Sequence, residues 1–255
     1  MMRMNILTIT LLLANLIVSG CNNQKQSTAE KKELVVLCGS SFVPPADELI
    51  KQFKDQTGVE VVTSSAGSED FLPLVKAGRK GDILITHDPY LDYVKDANAY
   101  LANAQVGFLA PVLAVAKGNP QAIKTIEDLT KDGLRIGLSN PQYSTCGEMV
   151  FALLDKKGIK DAVLKNVGNR LTKGHSNLGT LIKTGAVDAV IMWNGVAHNF
   201  KEHLEIVPTP YEYDKTIRVH VIGLGYSKHP ELVNQFVSFA KDKGKGIFAS
   251  YGYVK

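Results

Sequence analysis

Apolar positions from residue 33 onward switch between two periods. Leu34-Val35-Val36-Leu37 is a short β-rich run closed by Gly39-Ser40-Ser41, which predicts a strand and its turn. Pro44 and Pro45 suit the first turn of a helix. Ala46, Leu49, Ile50 and Phe53 then fall at i, i+3, i+4 and i+7, which makes one buried stripe. Gly58 stops that helix, and Val59 to Val62 predicts the next strand. The cycle repeats with a small-residue loop, Thr63 to Ser68, and a helix carrying Phe71, Leu72, Leu74 and Val75. That helix ends at Gly78, and Ile83-Leu84-Ile85 forms a third strand. Strands and helices alternating at these lengths predict parallel pairing with helices on the sheet faces.

A second series starts near Pro111. Val112 to Ala116 reads as a strand, Lys117-Gly118-Asn119-Pro120 as a turn, and Thr125 with Asp128 as the capped start of a short helix. Leu134 to Leu138 predicts a strand, and Gly147 to Lys157 a helix with Val150, Phe151 and Leu154 inward. Ser176 is placed to cap a helix holding Leu178, Leu181 and Ile182, with Gly185 as its stop. Ala189 to Met192 and Val219 to Leu224 are further strands, and the chain closes with an amphipathic helix through Leu232, Val233, Phe236, Val237 and Ala240. The expectation is an α/β fold of two lobes, each a mixed, mostly parallel sheet with flanking helices. Residues 33–110 with 211–255 make the first lobe and 111–210 the second. Ligands of such sheets bind at the carboxyl ends of the strands, here in a cleft between the lobes.

The front of the chain follows another pattern. One cation, Arg3, precedes an apolar run from Ile6 to Val18. The run is shorter than the ~20 residues a membrane-spanning helix needs, and small residues follow it, as in a secretory signal. Val18-Ser19-Gly20-Cys21 resembles the bacterial lipobox, with Cys21 as the acylated residue. Residues 1–20 are therefore read as a signal peptide and 21–32 as a lipidated, polar tether that holds the protein to the membrane of the cell envelope. An apolar content of 45% supports a packed body behind the tether. The formal charge of +4, which falls by one without Arg3, comes from well-mixed basic and acidic residues and argues against a nucleic-acid surface. Cys38 and Cys146, the only other cysteines, are too far apart in sequence to be a disulfide framework by themselves.

The loops at the strand ends carry a resemblance. Val59-Glu60-Val61-Val62 followed by Ala66-Gly67-Ser68, Lys76-Ala77-Gly78, Gly81-Asp82-Ile83, Val115 to Pro120, Ile126 to Leu129, Gly185 to Ala189 and Lys228 to Leu232 stand in an order similar to that of the molybdate-binding periplasmic proteins. These belong to the type II solute-binding fold. The likeness runs through nearly all of residues 33–255. It implies a monomeric, non-enzymatic captor of a tetrahedral oxyanion, molybdate or tungstate foremost, that needs no cofactor. It also implies an ABC permease and ATPase as partners. Carried over by position, the oxyanion is held by the hydroxyls of Ser41 and Ser68 and by backbone donors at Cys146 and His175, while the family's pocket tyrosine falls on Trp193. The carry-over agrees with the physics of helix N-termini, whose free N–H groups and partial positive charge accept anions without a cation. Each serine alone reads as an ordinary helix cap; several at matching strand ends favour a site.

Some residues depart from the family pattern. Indole has a single donor, so Trp193 is read chiefly as a wall of the cleft. A cysteine at a helix start, as at Cys146, is expected to have a lowered pKa. With Cys38, His87 and His175 it gives a runner-up reading as a soft-metal site, although the spacing matches no metal motif. A third reading makes Cys146 a nucleophile with His175 as its base, without any group to orient the histidine. Glu69, Asp70 and Glu148 lie in first helical turns, where acidic residues are stabilising; one that faced the cleft instead would repel a fully ionised oxyanion.

Overall fold

The computed structural model describes residues 33–208 and 217–254. The signal segment, the lipid-attachment residue Cys21 with its tether, and the lobe boundary at 211 lie outside the described residues. The first sheet contains β1 (Glu33–Gly39), β2 (Glu60–Ala66), β3 (Ile83–His87), β4 (Tyr100–Leu109) and β10 (Ile217–Leu224), in the order β2-β1-β3-β10-β4. The second contains β5 (Pro111–Ala116), β6 (Ile136–Ser139), β7 (Leu171–Thr172), β8 (Ala189–Trp193) and β9 (Leu204–Ile206), in the order β7-β6-β8-β5-β9. Helices α1 (Val43–Thr57), α2 (Ser68–Lys76), α3 (Tyr90–Asp96) and α8 (Pro230–Ser250) accompany the first sheet. Helices α4 (Thr145–Lys156), α5 (Lys160–Val167), α6 (His175–Lys183) and α7 (Asn194–Asn199) accompany the second.

Both sheets are mixed. β1 pairs in parallel with β2 and β3, and β6 with β7 and β8, whereas β10 and β5 run antiparallel to both of their neighbours. Half of the pairings are thus antiparallel, because β5 enters the second sheet directly from β4 while β10 is added to the first sheet late in the chain. A simple strand–helix alternation does not reveal such crossings.

The predicted stripe of α1 is realised. Ala46, Leu49 and Phe53 are buried, and the Phe53 ring packs edge-on against Phe236 and Phe239 of α8 at 4.8 and 5.5 Å. Prolines occupy its first turn, and Gly58, at φ 70°, ends it by donating its N–H to the Lys54 carbonyl. Elements beyond those predicted are α3, β4, α5, β7, α7 and β9. The predicted cap at Ser176 is corrected: α6 begins at His175 with Gly174 as its cap residue, so Ser176 stands inside the first turn.

The crossing from β4 to β5 is one residue long, Ala110, and is clamped by Asn194. The Ala110 N–H donates to Asn194 Oδ1 at 3.3 Å, and the Asn194 N–H to the Ala110 carbonyl at 2.9 Å. Asn194 Nδ2 donates to the carbonyls of Phe108 and Val254. Tyr253 fills the space beside this clamp. Its ring lies where a side chain on Gly195 would sit, and its hydroxyl donates to the Ser41 carbonyl. The back of the cleft is therefore tied to a loop that faces it.

Candidate functional site

The carboxyl ends of β1, β2 and β3 face those of β6, β7 and β8 across a cavity of about 300 Å³. Helices α1, α2, α4 and α6 all begin near this rim. Ser41, Ser68, His175 and Trp193 line the cavity, as do Ser144 and Thr145; Cys146 is not among the lining residues.

Ser41 lies in a 3-10 turn, Ser40–Phe42, between β1 and α1. Ser68 is the first residue of α2 and is buried. Thr86, at the end of β3, donates from Oγ1 to Ser68 Oγ at 2.8 Å. This bond leaves Ser68 Oγ with capacity for one further hydrogen bond, to a partner in the cavity. Neither serine caps a helix: the cap residues of α1 and α2 are Phe42 and Gly67.

In the second lobe the cap of α4 is Ser144, whose Oγ accepts the Gly147 N–H at 3.3 Å. Cys146 lies two residues further on and is fully buried. Its thiol pKa is raised, not lowered as expected for a helix start, because loss of water around the thiolate outweighs the helix dipole. Burial raises the Cys38 thiol in the same way, with the nearby Asp47 charge adding to it. Both cysteines are free. Among the described residues no group of three or more His, Cys, Asp or Glu converges as a metal site would require, so Cys38, Cys146, His87 and His175 do not assemble into the alternative centre.

His175 is buried between two hydroxyls. Its Nδ1 lies 3.3 Å from Ser139 Oγ and its Nε2 3.2 Å from Ser144 Oγ. Burial, and then the like charge of His87, hold its pKa down to about 3, so the ring is neutral. Both nitrogens face serines and the Cys146 thiol is buried, so His175 is engaged by Ser139 and Ser144 and not by Cys146. His87 donates from Nδ1 to the Asp88 carbonyl at 2.6 Å, and burial lowers its pKa too. Trp193 is buried between the two imidazoles, 5.9 Å from His87 and 5.5 Å from His175.

Charged groups stand at the mouth. Lys173, in the turn before α6, reaches both carboxylate oxygens of Asp70 on α2 at 3.0 Å, a bridge from one lobe to the other. Glu69 also lines the cavity, and burial raises its pKa. Glu148 is exposed and is not among the lining residues. Sequence reasoning missed Ser144, Thr145 and Lys173. Ser144 carried a signal, being a capping-type residue just ahead of a helix; Lys173 carried none.

Bacterial extracellular solute-binding proteins, as a family, match residues 34–254. A molybdate-binding protein of Mycobacterium tuberculosis is 27% identical over 255 residues, covering 96% of this chain and 95% of its own. Among solved structures, the periplasmic molybdate-binding protein of Azotobacter vinelandii superposes with a TM-score of 0.69 at 20% identity, over 87% of this chain and 99% of its own. L-phospholactate-bound Peb3, a protein of Campylobacter jejuni, does so with a TM-score of 0.67 at 17% identity, over 87% and 99%. These structural likenesses establish the two-lobed binding-protein fold, in which different ligands are held. With the match running from β1 to the end of the described chain, the protein belongs to the bacterial extracellular solute-binding protein family.

Proposed function

We propose that this chain is the lipid-anchored solute-binding component of an ABC-type uptake system, and that its cleft holds a tetrahedral oxyanion, molybdate or tungstate in the first place. The oxyanion accepts hydrogen bonds from the hydroxyls of Ser41 and Ser68 on one lobe. On the other it accepts them from the backbone at the starts of α4 and α6, at Cys146 and His175, with Ser144 as an added hydroxyl. Trp193 walls the site. The protein does no chemistry on its ligand; the two lobes closing on it form the state a separate permease and ATPase read. The protein acts as a monomer outside the cytoplasm, tethered through lipid on Cys21.

The observation that carries this reading is the lining of the cavity, where the hydroxyls of Ser41, Ser68 and Ser144 stand with the starts of α4 and α6. Neutral donors at helix starts bind anions without a full counter-charge. The relatives named for molybdate support the choice of oxyanion. The chain's single tryptophan, Trp193, lies in the cavity wall and reports on occupancy. Titration with molybdate and tungstate is expected to give a saturable change in its fluorescence. No response to any oxyanion, with a response to a soft metal ion, would overturn the reading. For the anchor, Cys21→Ser is expected to release the protein in soluble form, and continued lipid labelling would refute attachment at Cys21.

A further inference from the structure

We infer that Glu69 guards this cleft: its carboxylate lies folded over the start of α2, in the place where an oxyanion would lie, and capture of a fully ionised oxyanion takes up one proton at that carboxylate. The inference rests on the oxyanion reading above. It names the residue that sets which oxyanions enter and at what pH.

The geometry is specific. An acidic residue in a first helical turn ordinarily points to water. Here the side chain turns back across Gly67, so that a Cβ built on Gly67 would stand 2.2 Å from Oε1, 2.5 Å from Cδ and 2.8 Å from Oε2. Only glycine at 67 leaves room for this pose. Gly67 is the cap residue of α2, Ser68 is its first residue, and all three of Gly67, Ser68 and Glu69 line the cavity. The Glu69 amide N–H stabilises the carboxylate in place. The helix start that would serve a bound anion thus has a resident carboxylate beside it.

The surrounding charges do not cancel that carboxylate. Asp70, on the same helix, adds a like charge and engages Lys173 with both oxygens, so Lys173, whose charge also acts on Glu69 and draws its pKa down, is shared with Asp70 and does not offset the burial that raises Glu69. Tyr90 on α3 is pushed up to about 12, by burial first and then by the nearby carboxylates of Glu69, Asp70 and Glu148. His87 and His175 are both held neutral by burial. Burial already raises the Glu69 carboxyl, and a second anion beside it raises it further. Molybdate, tungstate and sulfate bring no proton at neutral pH. Solvent must supply one to a Glu69 carboxylate oxygen, giving a neutral carboxyl that donates to the ligand. Phosphate keeps a proton of its own across this range and can offer it to the ionised carboxylate. Rising pH therefore shifts selectivity toward oxyanions that carry a proton.

The test is calorimetric titration of the mature chain with molybdate and with phosphate from pH 6.5 to 8.5, in buffers of different ionisation enthalpy, for the wild type and Glu69→Gln. Binding linked to one proton changes affinity about tenfold per pH unit. The expected result is that slope for molybdate with one proton taken up, and a slope below threefold per unit for phosphate. Glu69→Gln is expected to bind molybdate at least tenfold more tightly at pH 8 and without pH dependence. Gly67→Ala, whose methyl group displaces the carboxylate, is expected to move affinity in the same direction. Molybdate binding without proton uptake, with affinity unchanged in Glu69→Gln, would overturn the guard and leave the oxyanion reading standing. Absence of oxyanion binding by every variant at every pH would overturn both.

Discussion

The two lobes repeat one strand order with different chemistry at the rim. In each, a parallel trio that starts at one edge (β2-β1-β3, β7-β6-β8) delivers helix starts to the cleft, and an antiparallel pair completes the sheet. Both present a hydroxyl braced by a buried partner from a neighbouring strand end or helix: Ser68 by Thr86 in the first lobe, and in the second Ser144 by His175, whose other nitrogen meets Ser139. The rims then diverge. The first lobe adds Glu69 and Asp70, the second Lys173. Topology accounts for what the lobes share, since a helix that follows a strand must begin near that strand's carboxyl end. The side chains at the rim are free of that constraint. There the lobes differ in sign, which lets Asp70 and Lys173 meet across the cleft while Glu69 stays in the cavity.

The comparison breaks most sharply at Ser68. Ser68→Ala is expected to weaken oxyanion binding by about 1.5–3 kcal/mol, the value of a hydrogen bond to a charged group, or roughly 10- to 150-fold in Kd. Fluorescence titration checks it, and wild-type affinity would remove Ser68 from the site. The second lobe differs in being braced by an imidazole. His175 has its folded pKa lowered to about 3 against an ordinary value near 6.5, so the unfolded chain takes up a proton that the native chain refuses. Its contribution to stability is complete above pH 6.5 and is lost as pH falls toward 3, at ~1.4 kcal/mol per pH unit. His87, also lowered, adds in the same direction. Urea unfolding between pH 4 and 7 is expected to show this decline, less steep in His175→Asn. The smallest effect separates Ser144 from Cys146. Ser144→Ala should lose ~0.5–2 kcal/mol of stability as a helix cap is removed, and some oxyanion affinity with it. Cys146→Ala should leave affinity unchanged, since the proposed contact at that position uses the backbone alone.

Much of this architecture is legible in the chain. The stripes of α1 and α8 and the runs of β1, β3 and β8 each carry one clean period, so alternation alone identifies them. β4 does alternate, with Ala102, Ala104, Val106 and Phe108 against Asn103, Gln105 and Gly107, but small residues such as alanine and glycine make the signal faint, and it is an edge strand, where one side needs no partner. α7 has six residues, too few for a helical period. In the site, Ser41, Ser68, His175 and Trp193 stand at strand ends that sequence order locates. Cys146 shows the limit: a helix start is visible in sequence, but which of its residues turns inward depends on packing. The Asp70–Lys173 bridge joins residues 103 apart, and the Glu69 pose depends on a bare Gly67. Neither leaves a periodic trace.

The central claim is that an oxyanion lies between the hydroxyls of one lobe and the helix starts of the other. A crystal structure of the chain grown with tungstate tests it most directly, because anomalous scattering locates tungsten without reference to the protein. The account predicts one tungsten inside the cavity, with its oxygens within hydrogen-bond distance of Ser41 and Ser68 and of the α4 and α6 starts, and Glu69 swung off Gly67 or donating to the anion. Tungsten found only at the surface, or an empty cavity with Glu69 unmoved at saturating tungstate, would contradict it.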